Sequence, residues 1–167
     1  YANPEVCDDL YITLFYFFLH CHDMSNYANK NDLVNIKKKI EDYLKTRDYD
    51  DGNLYDYCIT HPSMVFHKGI LTDPISVIKF SVEDFKTKWK YDEPKCVALC
   101  HAESADKNII KFDKANKYIV SAARPTNMFW GYQSSNMLQQ NYTLEEFFEL
   151  EEGRVNRRKK ILEKNKE

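Results

Sequence analysis

The sequence predicts an α+β fold, with helices packed on a small antiparallel β-meander and a C-terminal helix extending from the body. Three observations carry this expectation. Apolar residues recur at three- and four-residue spacing in Leu33–Leu44 and again in Ile75–Trp89, which is helical periodicity. Between Pro94 and Ala123 the pattern changes to short runs rich in Val, Ile, Phe and Tyr, bounded by polar turns, which is strand-like. Thr143, followed three residues later by Glu146, makes a capping box that opens a last helix.

The elements follow in order. Asn3-Pro4-Glu5 reads as an entry loop. Asp8 and Asp9 precede the run Leu10–Leu19, apolar on nearly every side, which fits a central helix whose N-terminal dipole the two carboxylates favour. If an aromatic side of that helix is exposed, it becomes a partner-binding face. Ser25–Lys30 is a polar break, and Asn31 or Asp32 caps a second helix. Its stripe is Leu33, Ile36, Ile40, Tyr43 and Leu44, with Lys37, Lys38 and Lys39 turned mostly to water. Arg47–Gly52 is a charged loop, and a short strand is expected around Tyr57-Cys58-Ile59.

Asp73 followed by Pro74 marks a helix start, so a helix, or two short ones, is expected from Asp73 to about Lys88. Ser81-Val82-Glu83-Asp84 is an alternative capping box for the second. The meander takes its strands from Cys96–Cys100, Asn108–Phe112 and Tyr118–Ser121, with Asn116 as the turn residue. Ala123–Asn127 is a turn, Met128–Tyr132 is strongly aromatic, and Ser134–Asn141 is polar and irregular. Leu144, Phe147, Phe148 and Leu150 tie the last helix to the body, and residues 153–167 form a basic, partly exposed helix end or tail.

The whole chain, 1–167, reads as one domain, with no internal repeat or Pro-rich linker. Four Gly and five Pro argue against disorder and against a disulfide scaffold. A net charge of −2 excludes a strong global field for capturing nucleic acid but leaves local patches open. Five cysteines, an odd number without repeated spacing, fit reduced thiols inside the cell, in cytoplasm or nucleus. The chain begins at Tyr1, so secretion after signal removal stays open. The one long apolar run is too short to cross a bilayer as a helix.

The aromatic count points to function. Twelve Tyr, ten Phe and two Trp are hard to bury completely in a chain of this length, and exposed aromatic rings anchor interfaces. The expected function is therefore a non-enzymatic protein-interaction or regulatory module, with Phe129, Trp130 and Tyr132 as its partner-binding residues and no cofactor. The rival for Phe129 and Trp130 is core packing under the last helix. A second reading is RNA or DNA binding through Arg154, Arg157, Arg158, Lys159 and Lys160, with aromatic stacking. A third is a zinc site or a cysteine-dependent enzyme. Cys58 and His61 with Cys96 and Cys100 supply four N and S ligands. On a strand, however, Cys96 and Cys100 lie about 13 Å apart, too far to share an ion. Cys100 and His101, neighbours on a strand, point to opposite faces, and no nucleophile elbow surrounds any cysteine.

Overall fold

The computed structural model describes residues 4–49, 52–87, 93–103, 111–113, 118–120 and 122–164. These form six α-helices and three two-stranded antiparallel ribbons, so the fold is α+β, with a long C-terminal helix. No helix among the described residues is long and apolar enough to cross a membrane.

Helix α1 runs Pro4–Phe18, so Pro4 and Glu5 belong to its first turn and not to an entry loop. Asp9 then falls inside the helix and is buried, a role different from the dipole partner the sequence suggests. Helix α2, Lys30–Leu44, starts on Asn29, whose side chain accepts from the Asn31 amide. Its stripe is borne out at Leu44, which is fully buried, and at Leu33 and Ile40, which pack on the main core. Strands β1, Asp48–Tyr49, and β2, Gly52–Asn53, form a tight ribbon.

Where a strand was expected at Tyr57–Ile59 the chain forms helix α3, Leu54–Thr60. The Asn53 side chain accepts from the Asp56 amide and caps it, and Leu54 and Cys58, four apart, share its buried face. Helix α4, Pro62–Val65, follows at once, capped by the His61 imidazole.

The helix expected from Asp73 does not form. Asp73 Oδ1 accepts from the Ile75 and Ser76 amides, as a helix cap would. Its Oδ2 accepts from the Tyr132 amide at 2.7 Å, a tertiary contact. The chain instead closes a loop through the Thr72–Lys79 bridge, with Val77 at φ +58°, outside helical space. The Ser81–Asp84 box does form: the Ser81 amide donates to Asp84 Oδ2, the Asp84 amide to Ser81 Oγ, and a 3-10 turn spans Glu83–Lys86. Lys88 and Trp89 lie outside the described residues.

The meander is rearranged. Strand β3, Val97–His101, pairs with β6, Met128–Tyr132, with Cys100 opposite Phe129 and Ala98 opposite Gly131. Strands β4, Lys111–Asp113, and β5, Tyr118–Val120, make the expected hairpin as a ribbon of their own. Asn116 lies outside the described residues. Pairing Met128–Tyr132 with β3 satisfies the backbone N–H and C=O groups of a strand whose side chains are mostly buried.

Helix α5, Gln133–Gln139, replaces the irregular segment. Its pattern is inverted: Gln133, Ser135 and Gln139 are buried while Met137 and Leu138 face outward. Gln139 Nε2 donates to the His101 and Tyr142 carbonyls, which satisfies the donor side of its buried amide. Helix α6, Leu144–Lys164, opens on the expected reciprocal cap between Thr143 and Glu146. Two cores result. Phe17, Leu44, Leu54, Leu71 and Phe80 centre the larger, while Ala98, Cys100, Phe129 and Leu144 form a second beneath α6.

Candidate functional site

Strand alternation decides where the Met128–Tyr132 rings go. Phe129 faces the second core, under Leu144 of α6. Trp130 and Tyr132 face the larger one. Tyr132 is buried and its hydroxyl donates to Asp84 Oδ2 at 3.1 Å. Trp130 is half-buried, and its indole Nε1–H donates to the Leu14 carbonyl at 2.8 Å. Phe129, Trp130 and Tyr132 therefore do not form an exposed partner surface. β6 is covered on both faces, and core packing accounts for them.

Trp130 is instead the inner end of a run of rings that climbs to the surface along α1. Phe85 stands edge-on to Trp130, with centroids 5.2 Å apart. Phe18 stands edge-on to Phe85 at 4.9 Å, and Phe15 stacks on Phe18 at 6.2 Å. These separations lie in the range of favourable aromatic pairs. Tyr11, one turn before Phe15, continues the row. Tyr11 is 69% exposed and Phe15 46%, while Tyr16 and Phe17 on the same helix are buried. Tyr11, Phe15 and Phe18 are spaced by four and three, so the outward face of α1 is an aromatic ridge with fixed footing. The sequence signal was present in Leu10–Leu19, a helix too aromatic to bury on every side.

A polar anchor holds α1 at the angle that presents this ridge. The buried Asp9 carboxylate accepts from the Tyr43 and Tyr49 hydroxyls, each at 2.7 Å, and from Arg47 Nε. Burial and then the hydrogen bond to Asp9 raise the Tyr43 hydroxyl to about 12. Just past the end of α1, His20 Nδ1 lies 2.8 Å from the Tyr16 carbonyl and donates to it in the neutral ring. Burial first, then the Lys37 ammonium, lowers its pKa to about 4.

Cys58, His61, Cys96 and Cys100 are all buried, and no three His, Cys, Asp or Glu side chains among the described residues converge to hold a metal. The four expected zinc ligands serve the core. His61 Nδ1 accepts from the Ser63 amide, and its ring lies among Phe17, Tyr57 and Phe129. Cys100 Sγ fills the space left by Gly131, where an added Cβ would lie 2.6 Å from it. Burial pushes the Cys58 and Cys100 thiols above their ordinary range and Cys21 up to about 12, opposite to what a thiolate nucleophile needs.

A polar cleft of about 360 Å³ lies beside α3, between Asn53, Asp56 and Thr60 on one side and Glu103 and Arg124 on the other. Arg124 is 2% exposed and its Nη2 donates to Glu103 Oε2 at 2.8 Å. The pair braces the end of β3 against the turn before β6. No local pattern around Arg124 marks this turn arginine as buried.

Arg154, Arg157, Arg158, Lys159 and Lys160 are all exposed on α6, and Arg154 Nη1 donates to Glu151 Oε1 at 2.8 Å. From Arg154 to Lys164 every residue of the helix is exposed. The chain matches no protein-family model, no curated protein and no solved structure.

Proposed function

We propose that the chain is a non-enzymatic protein-interaction module that docks a partner protein on the aromatic ridge of α1. The observation that carries this is the exposure of Phe15 at the end of a continuous row of rings rooted in Trp130, with exposed Tyr11 one turn before it on the same helix face. An exposed ring normally loses rotamer freedom on binding. Phe15 is already stacked on Phe18, so that loss is reduced and its apolar area is available to a partner.

The test is site-specific photo-crosslinking in the native cell extract, with a photoreactive phenylalanine analogue at position 15 or, as control, at exposed position 39 of α2. A discrete adduct from position 15 that disappears with Tyr11→Ser supports the ridge. Equal labelling from both positions overturns it.

The exposure of the five basic residues of α6 favours a second reading, the binding of single-stranded nucleic acid. Oligonucleotide affinity that falls steeply with salt, and falls further with Arg157→Ala and Lys160→Ala, supports that reading.

A further inference from the structure

We infer that two copies of this chain pair antiparallel through α6. The helix is divided by charge. Glu145, Glu146, Glu149, Glu151 and Glu152 fill its first half without a cation, and Arg154, Arg157, Arg158, Lys159, Lys160 and Lys164 fill the second against one acid, Glu163. The helix dipole favours this polarity only in the first and last turns. Glu151, Glu152 and Arg154 stand mid-helix, where the dipole supplies no reason for them.

The second half is also unsupported. Eleven consecutive residues, Arg154–Lys164, are exposed, among them Val155, Ile161 at 60% and Leu162 at 62%. A helix of three turns without packing is marginal in water, so an occupant that covers it stabilises it.

A seat for that half exists on the first half of the same helix. An open groove of about 460 Å³ runs beside α6, with Pro62, Leu144 and Phe148 in its floor and Glu145, Glu149 and Glu152 along its rim. Its chemistry is the complement of the free end, which carries apolar residues flanked by cations. The spacing matches as well. Phe148, Val155 and Leu162 repeat every seven residues and share one stripe. Phe148 lies seven before Val155 and Leu162 seven after it. Glu152 lies three before and Lys159 four after; Glu149 lies six before and Lys160 five after.

In an antiparallel pair with its two-fold axis at Val155, Phe148 meets Leu162 of the second copy. Glu152 and Glu149 then fall within about 1.5 Å, one helical rise, of Lys159 and Lys160 of the second copy along the axis. Each contact occurs twice, as a two-fold interface requires. A pairing of the free ends alone would set cation against cation, so only the overlap with the acidic groove satisfies the charges.

Sedimentation equilibrium of the full chain over a concentration series tests this, with Lys159→Glu and the double variant Glu152→Lys/Lys159→Glu. Both positions are exposed, so unchanged thermal midpoints are expected and serve as the folding control. The wild type is expected at twice the chain mass at high concentration. Lys159→Glu is expected to weaken association about tenfold or more, because two symmetric pairs turn repulsive, and the double variant to restore it. A wild type that stays at single-chain mass overturns the proposal, and does so equally if its α6 binds a single-stranded oligonucleotide instead. A dimer indifferent to Lys159→Glu, or a double variant that is not restored, overturns it too.

Discussion

Arg47 grips the buried Asp9 carboxylate from two nitrogens, with Nε and Nη2 each 2.9 Å from Oδ2. Asp9 is sealed from solvent, whereas about a quarter of the Arg47 side chain stays in contact with water. The arginine therefore bridges surface and core, and the Tyr43 and Tyr49 hydroxyls complete the shell around the carboxylate. Asp9→Ala removes the shared acceptor of two hydroxyls and leaves Arg47, among the described carboxylates, only that of the more exposed Glu5, 3.6 Å away. It is expected to cost about 3 kcal/mol in urea unfolding, with Asp9→Asn milder. A loss below about 1 kcal/mol would show that the shell adds little to α1 docking.

Trp130 and Phe15 separate stability from recognition. Trp130 packs on the larger core and spends its indole N–H on Leu14. Trp130→Ala is expected to destabilise the fold by about 3 kcal/mol, read as a lower thermal midpoint. Phe15→Ala is expected to move that midpoint little and to abolish the crosslinked adduct from a photoreactive residue at position 11.

Acid should destabilise the protein through its buried histidines. Burial lowers His61 to about 3, and burial with Lys37 lowers His20 to about 4, so both are neutral in the folded chain. In the unfolded chain they protonate near pH 6.5. Below that value the unfolded state holds more protons, and stability falls as pH drops toward 4, by up to about 1.4 kcal/mol per pH unit for each histidine. Urea midpoints at pH 7 and pH 4.5 check this, and His20→Gln is expected to flatten the difference.

Gly131 and Cys100 form one packing unit across the β3–β6 pair. Gly131→Ala forces a methyl group toward Cys100 Sγ in a closed core and is expected to cost about 1–3 kcal/mol. Adding Cys100→Ala removes the obstructing sulfur and is expected to recover part of that loss. A double-mutant cycle from thermal unfolding measures the coupling, and additive losses would contradict it.

What could be read in the sequence was local. The Thr143–Glu146 box forms as its own chemistry dictates, because it is closed within one turn, whereas the second helix is capped by Asn29 and not by Asn31 or Asp32. What could not be read depended on distant partners. Asp73 has the side chain of a helix cap, yet its second oxygen is claimed by the Tyr132 amide across the fold, and the expected helix gives way to a loop. Cys58 sits in a run with strand-like side chains, but Asn53 caps a helix whose inward positions, Leu54 and Cys58, meet a core assembled from elsewhere. Gln139 breaks the usual pattern because the His101 carbonyl at the end of β3 accepts from its buried amide. For the site, the excess of rings on the first helix was visible, but the burial of Phe129 and Tyr132 was not, because it depends on the pairing of β6 with β3 and no local pattern encodes that.

Asn127 works as a clasp. Its Nδ2 donates to the Glu103 carbonyl at 3.1 Å and to the Ala122 carbonyl at 2.8 Å, and its Oδ1 accepts from the Glu103 amide at 2.6 Å. One buried side chain therefore holds together two points far apart in sequence. The spacing of Glu103 and Ala122 is set by that amide, so a change in the length of sequence between them costs little closure entropy and leaves both anchors in place.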